Sequence, residues 1–335
     1  MKTPKPSYAS FRPVILLSLT IALAIAGTDT SAQTDSIALI ARWKKGEGRN
    51  YLIKKAEVRY TNGALTTNDS SSYTVSVTVT DSSRTNYNLD WRSESPLLSN
   101  KTYPELAGLD EKYQNLSVKY STDQNGAFQK LLNRDEIIQM MNEALDLYVA
   151  QKKDTGSLSS DNVEAVKQIF SSPGTIEGLA LKEISLFHFP YGVWYHYGST
   201  FEYQEQIGVP LLGAPVASTG RLTLESIDTL HHTCRIKNSV QLDSVSSKKA
   251  IATMLEVMVA KSTFKSEQEK QTKLQEMRKA FSTMELTIDR ESVFEINYST
   301  GWPIPVVFTQ NTFASTPEEG GLRRLETVSV TAVDK

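Results

Sequence analysis

Cysteine is nearly missing from this chain: Cys234 is the only one among 335 residues, so no disulfide can form within it. Small exported domains use disulfides to offset a thin core, whereas a chain of roughly 300 residues buries enough surface without them. Histidine is also scarce. Four of them leave little material for acid–base chemistry at neutral pH. There is no Gly-x-Ser-x-Gly elbow, no His-Glu-x-x-His, no phosphate loop and no dinucleotide glycine pattern. A basic excess is missing too. Thirty-six Lys and Arg stand against 38 Asp and Glu, a formal net charge of −2, which argues against a nucleic-acid partner.

Long apolar runs are absent beyond the first 32 residues. There, Lys2, Lys5 and Arg12 precede an uncharged stretch, Pro13 to Gly27, and Thr30-Ser31-Ala32 supplies small residues. This pattern predicts a secretory signal peptide cleaved near Ala32, too short to span a membrane comfortably. No Cys follows the apolar run, so the expected product is exported to the periplasm or beyond, without a lipid anchor or a transmembrane segment. Residues 33–335 then read as a single α+β domain.

What remains is alternation. Tyr73, Val75, Val77 and Val79 alternate with Thr74, Ser76, Thr78 and Thr80, and Tyr87, Leu89 and Trp91 share one face. Period two with Val, Thr and Tyr predicts half-buried antiparallel strands. Further strands are expected near Leu222–Ser239, Leu286–Ile296, Val306–Thr309 and Leu325–Val333. Helices are expected near 134–150, 160–172 and 247–282. Asn133 and Asp135 offer caps, and Ile137, Met141, Ala144, Leu145 and Tyr148 form a stripe. The predicted fold is therefore α+β: a large antiparallel curved sheet packed against helices. Val79-Thr80-Asp81-Ser82 with Tyr87 and Leu89 matches Ser226-Ile227-Asp228-Thr229 with Cys234 and Ile236 at a constant offset. Two related halves, about 33–180 and 181–335, explain this; chance similarity of Asp-Ser turns explains it nearly as well.

Three places carry candidate chemistry. His231-His232 with Asp228 and Cys234 is the densest reactive cluster. Read as a strand, it splits the two His residues between faces, so Cys234 beside Ile236 reads as an inert buried thiol. The segment Phe187 to Tyr197 carries Tyr191, Trp194 and Tyr195, suited to a ligand mouth or, more simply, to plugging one end of the core. Met254 and Met258, with Ile251 and Leu255, make a flexible stripe that suits a cavity for apolar ligands or ordinary packing. No residue is singled out as catalytic or metal-binding, and no cofactor is implied.

Ala41-Arg42-Trp43-Lys44-Lys45-Gly46, followed by Tyr51, and the late Ser299-Thr300-Gly301-Trp302-Pro303 resemble segments of uncharacterised exported proteins of Bacteroidota. The resemblance implies a turn opening a strand-rich region, a second turn before the last strands, and an exported location. The layout is also similar in architecture, without shared motifs, to half-barrel periplasmic lipoprotein carriers. The expected function is a non-catalytic cell-envelope binding or carrier protein, its apolar ligand, a lipid or similar small molecule, held between sheet and helices. An envelope hydrolase with an unrecognised site, and a structural partner of an outer-membrane complex, are the alternatives.

Overall fold

The alternating runs form strands, and the strands reach well beyond the alternation. The computed structural model describes residues 35–94, 115–152, 181–208, 215–242, 285–316 and 320–333, with scattered positions between 246 and 276. In chain order these hold β1 (Ser36–Ala38), β2 (Gly48–Thr61), β3 (Ala64–Ser82), β4 (Asn86–Glu94), β5 (Asn115–Asp123), β6 (Phe128–Leu131) and α1 (Arg134–Lys152). Then come α2 (Lys182–His188), β7 (Trp194–His196), β8 (Thr200–Gly208), β9 (Pro215–Asp228), β10 (Thr233–Leu242), β11 (Glu285–Asn297), β12 (Trp302–Thr316) and β13 (Gly320–Val333). All of this lies within one compact unit, Thr34–Lys335.

Eleven strands make one antiparallel sheet in the order β6-β5-β4-β3-β2-β13-β12-β11-β10-β9-β8; β1 and β7 pair separately. Two meanders, β2–β6 and β8–β13, meet where β2 pairs with β13. The antiparallel sheet is as expected, but the α+β class is not. The described structure is 67% strand and 14% helical, so it is a mostly-β protein in which helix packing is a minor component. The reason lies in the polar stretches. Thr67 to Ser72 shows no alternation because β3 is largely exposed on both faces there, yet it pairs residue for residue with β2. Both-sided polar strands carry no period-two signal. The expected helix over 160–172 and most of 247–282 lie outside the described residues.

Register orders the inner face in transverse rows, because directly opposed residues share a face. Tyr73, Ile53, Val330, Val306, Phe294, Ile236 and Leu224 form one continuous apolar row from β3 to β9. One step along the strands, Lys55, Val328, Phe308, Ser292 and Asn238 form a mixed row. The third row, Glu57, Glu326, Gln310, Arg290, Val240, Gly220 and Tyr203, is mainly polar. Gly220 lacks a side chain where Tyr203 needs room: a Cβ there would lie 2.1 Å from the ring.

The apolar end is closed by aromatic rings. Short α2 lays Ile184, Phe187 and His188 onto the sheet, and Phe187 meets Tyr51 and Trp91 edge-on at 5.1 and 5.6 Å. Trp43 packs against Trp302 at 4.9 Å and edge-on against Tyr87, His188 and Tyr191. Ile137, Ile138 and Met141 of α1 reach the same core. Asn133 does not cap α1 with its side chain; its Oδ1 accepts from Lys119 N of β5 at 2.9 Å, and its Nδ2 donates to Ser117 O.

Candidate functional site

The aromatic segment separates into a buried and an exposed set. Tyr191 and Tyr195 are buried, their hydroxyls donating to Gly301 O and Pro190 O. Trp194 is 63% exposed on β7, pointing away from that core, and Tyr197 is 55% exposed. The structure therefore does not bring Tyr191, Trp194 and Tyr195 together as one ligand mouth. Met254 and Met258 lie outside the described residues.

At the centre of the buried set sits His188. Its Nδ1 lies 2.8 Å from Gly126 O, so Nδ1 carries the proton, and its Nε2 accepts from Tyr120 Oη at 2.7 Å. Burial holds its pKa down, to about 4. Burial likewise raises Tyr120 and Tyr191 well above the phenol range. The side chains around His188 are packed rings, so these shifts report a closed core.

His231 and His232 sit in the β9–β10 turn, not in a strand. His232 has φ +55°. Asp228 Oδ1 accepts from the backbone N–H of Leu230 and His231, and its Oδ2 lies 2.7 Å from His231 Nδ1, which holds the Asp228 carboxyl below its usual range. Cys234 is buried, and burial pushes its thiol up to about 12. A thiol held protonated is a poor nucleophile. Among the described residues no group of three or more His, Cys, Asp or Glu is placed to hold a metal ion.

The two segments of the Bacteroidota resemblance meet in space. Gly301 has φ +74°, and a Cβ on it would come within 2.7 Å of Ile40 O. Its carbonyl accepts from Trp43 Nε1 at 3.1 Å and from Tyr191 Oη, while Trp302 Nε1 donates to Glu47 Oε1 at 2.7 Å. Turns do stand at Lys45-Gly46 before β2 and at Thr300-Gly301 before β12. Their physical work is to lock the core.

Open space lies on the opposite face of the sheet. A groove of about 510 Å³ crosses β2, β13, β12, β11 and β10. Its side chains form two opposed rows: Ala56, Thr327, Thr309, Glu291 and Ser239, then Val58, Leu325, Asn311, Asp289 and Gln241. In the next row along the same face, Tyr60, Arg323 and Phe313 line a second hollow of about 750 Å³ together with Asn62, Gly63, Ser315 and Gly321. Arg323 Nε donates to Asn311 Oδ1 at 3.0 Å and joins the two. Val58, Leu325, Tyr60 and Phe313 give the trough an apolar floor. Ser239, Gln241, Thr309, Asn311 and Thr327 give it donors and acceptors, and Asp289 and Glu291 add two carboxylates. None of these positions stands out in the sequence as part of a site, because their meeting across β2 requires the pairing of the first long strand with the last. Among the described residues no helix is long and apolar enough to cross a membrane. No family model matches the chain, and no curated protein matches it.

Proposed function

We propose that this is a non-catalytic binding protein of the cell envelope that holds an elongated apolar or amphipathic small molecule on the outer face of its sheet. The trough carries this reading. Each of its two hollows has a volume in the range of small-ligand sites, and the trough combines apolar side chains with polar and charged ones. Asn311, pinned by Arg323, would orient a polar head, and Val58, Leu325 and Phe313 would hold the apolar body. The strongly shifted titratable groups at His188, Tyr120 and Tyr191 lie in the packed core, away from this face, which supports binding over hydrolysis. Export rests on the N-terminal sequence pattern. This site lies on the face opposite the rings packed at α2, and the helix over 247–282, against which the sequence placed a cavity, lies outside the described residues.

Titration with a fluorescent fatty-acid analogue tests the reading. Wild-type protein should enhance the probe's emission saturably. Val58→Arg, which places a charge on the trough floor, should abolish the enhancement while leaving the circular dichroism spectrum unchanged. Equal probe binding by the variant would refute the proposal.

A further inference from the structure

The sheet ends differently at its two edges. β6 is four residues long and its pairing to β5 is interrupted by a bulge between Ser121 and Thr122. β8 is nine residues long, pairs with β9 without a register shift, and contains neither Lys nor Pro. Among the described residues nothing pairs with its outer side. Natural edge strands are blunted by shortness, bulges, Pro or charged side chains; β8 is long, regular and free of Pro, and its only charges are Glu202 and Glu205.

Its sequence is also self-complementary about its midpoint, Gln204. In an antiparallel pairing of two copies about Gln204, Phe201 stands opposite Ile207 and Glu202 opposite Gln206. Tyr203 stands opposite Glu205, Gln204 opposite Gln204, and Thr200 opposite Gly208. No carboxylate faces a carboxylate. Moving the two-fold to Glu202 or Glu205 sets a glutamate against itself, and moving it to Tyr203 sets Phe201 against Glu205. Two-fold positions between residues turn one copy's inner face outward. Of these four centres, Gln204 alone opposes Phe201 to Ile207 and sets each glutamate against an uncharged residue. Phe201 is 55% exposed as the apolar anchor of that register.

We infer that β8 is the interface of a two-fold homodimer, in which two copies pair antiparallel about Gln204 and their sheets run on as one. Isologous contact by strand addition closes the assembly at two, because each copy offers one such edge.

Sedimentation of the purified chain should show a monomer–dimer equilibrium. Gln204→Lys sets two ammonium groups opposite each other and should weaken dimerisation by roughly tenfold or more. Among the described residues the native side chain of Gln204 bonds only to Thr219, at the surface, so the fold should persist. Mixing the Gln204→Lys and Gln204→Glu chains should restore a heterodimer. Register is read by oxidation: Gln204→Cys should cross-link to itself, since opposed strand residues lie within disulfide reach. Gln206→Cys, which faces Glu202 of the second copy, should not, and Cys234 is buried and takes no part. A wild-type chain that stays monomeric overturns the inference. So does a dimer that tolerates Gln204→Lys, or one in which Gln206→Cys cross-links as readily as Gln204→Cys.

Discussion

His188 is the residue whose chemistry the fold changes most visibly. Unfolded, its imidazole titrates near the ordinary value of about 6.5; folded, it titrates at about 4 because burial disfavours the charged ring. The neutral form is thus the one the fold accepts. Its contribution is fully present above about pH 6.5 and is lost as pH falls from there to about 4, on the order of 3 kcal/mol as an upper bound. Chemical denaturation at a series of pH values should show this slope in wild-type protein and its loss in His188→Gln. A slope unchanged in the variant would mean the ring is solvated. Tyr120→Phe leaves His188 Nε2 without its donor and should cost about 1–3 kcal/mol, measured by the same denaturation at pH 7. A different window belongs to Glu57. Glu57 and Glu326 stand directly opposed, as do Arg59 and Arg324, and like charges in that position destabilise a sheet. Diagonal pairing relieves this: Arg324 reaches Glu57 at 2.6 Å and Glu326 at 3.7 Å, and Lys182 bonds Glu326. Despite some burial, hydrogen bonds from Arg324 and Arg59 hold the Glu57 carboxyl below its usual range, so its share of stability is lost only in more acid solution. Cys234 was legible from its neighbours. Its place beside Ile236 on a strand face marked it as core, and it is 1% exposed. Native protein should therefore resist thiol reagents, and Cys234→Ala should cost about 1 kcal/mol or more with the trough unaffected.

Turns decide how the elements meet, and Gly301 is the tightest of them. Its positive φ and the contact of a Cβ with Ile40 O leave no room for a side chain. Gly301→Ala should cost about 2 kcal/mol or more, read as a lowered melting temperature, and should loosen Trp43, whose indole bonds the Gly301 carbonyl. A shift of tryptophan emission to the red would report that loosening. Strand positions inside the core were readable because Val75, Val77 and Val79 alternate with polar neighbours. The last three strands were readable for the same reason, and the stripe at Ile137 and Met141 gave α1. The long polar arms were not. Asn68 to Ser72 of β3 and Gln310 to Thr316 of β12 owe their state to partners far away in sequence, and no local period encodes a partner. The His231-His232 pair failed for a local reason. Asp228 supplies two backbone acceptor bonds and closes a turn where alternation alone suggested continued strand. The matched hairpins do not keep a common register: Leu89 stands opposite Val79, whereas its counterpart Ile236 stands opposite Leu224 and not Ser226.

At the scale of the whole molecule, the trough and the core exist because β13 joins the two meanders. It pairs over twelve positions with β12 and over twelve with β2, and it places Leu325 and Arg323 on one face and Glu326, Val328 and Val330 on the other. Neither meander completes the apolar row alone, since Ile53 comes from one and Val306, Phe294 and Ile236 from the other. The aromatic lock crosses the same seam, with Trp43 and Tyr51 on the N-terminal side and Gly301, Trp302 and Pro303 on the C-terminal side. Folding must therefore bring together residues more than 250 positions apart before that core is covered. Such topologies fold slowly and unfold as a unit. Deleting residues 320–335 should leave β2 and β12 as open edges and expose one side of the apolar row. The expected product is an aggregating chain without cooperative unfolding, seen as loss of the thermal transition and rapid proteolysis throughout. If the two meanders were independent, proteolysis of the truncated chain would instead leave a stable fragment containing β2–β6, with Tyr51, Val77, Leu89 and Tyr120 still protected. Hydrogen exchange on the intact protein separates the two outcomes without mutation: with one cooperative unit, the amides of β2, β12 and β13 exchange last and together, whereas independent meanders would let the β2–β13 seam open first.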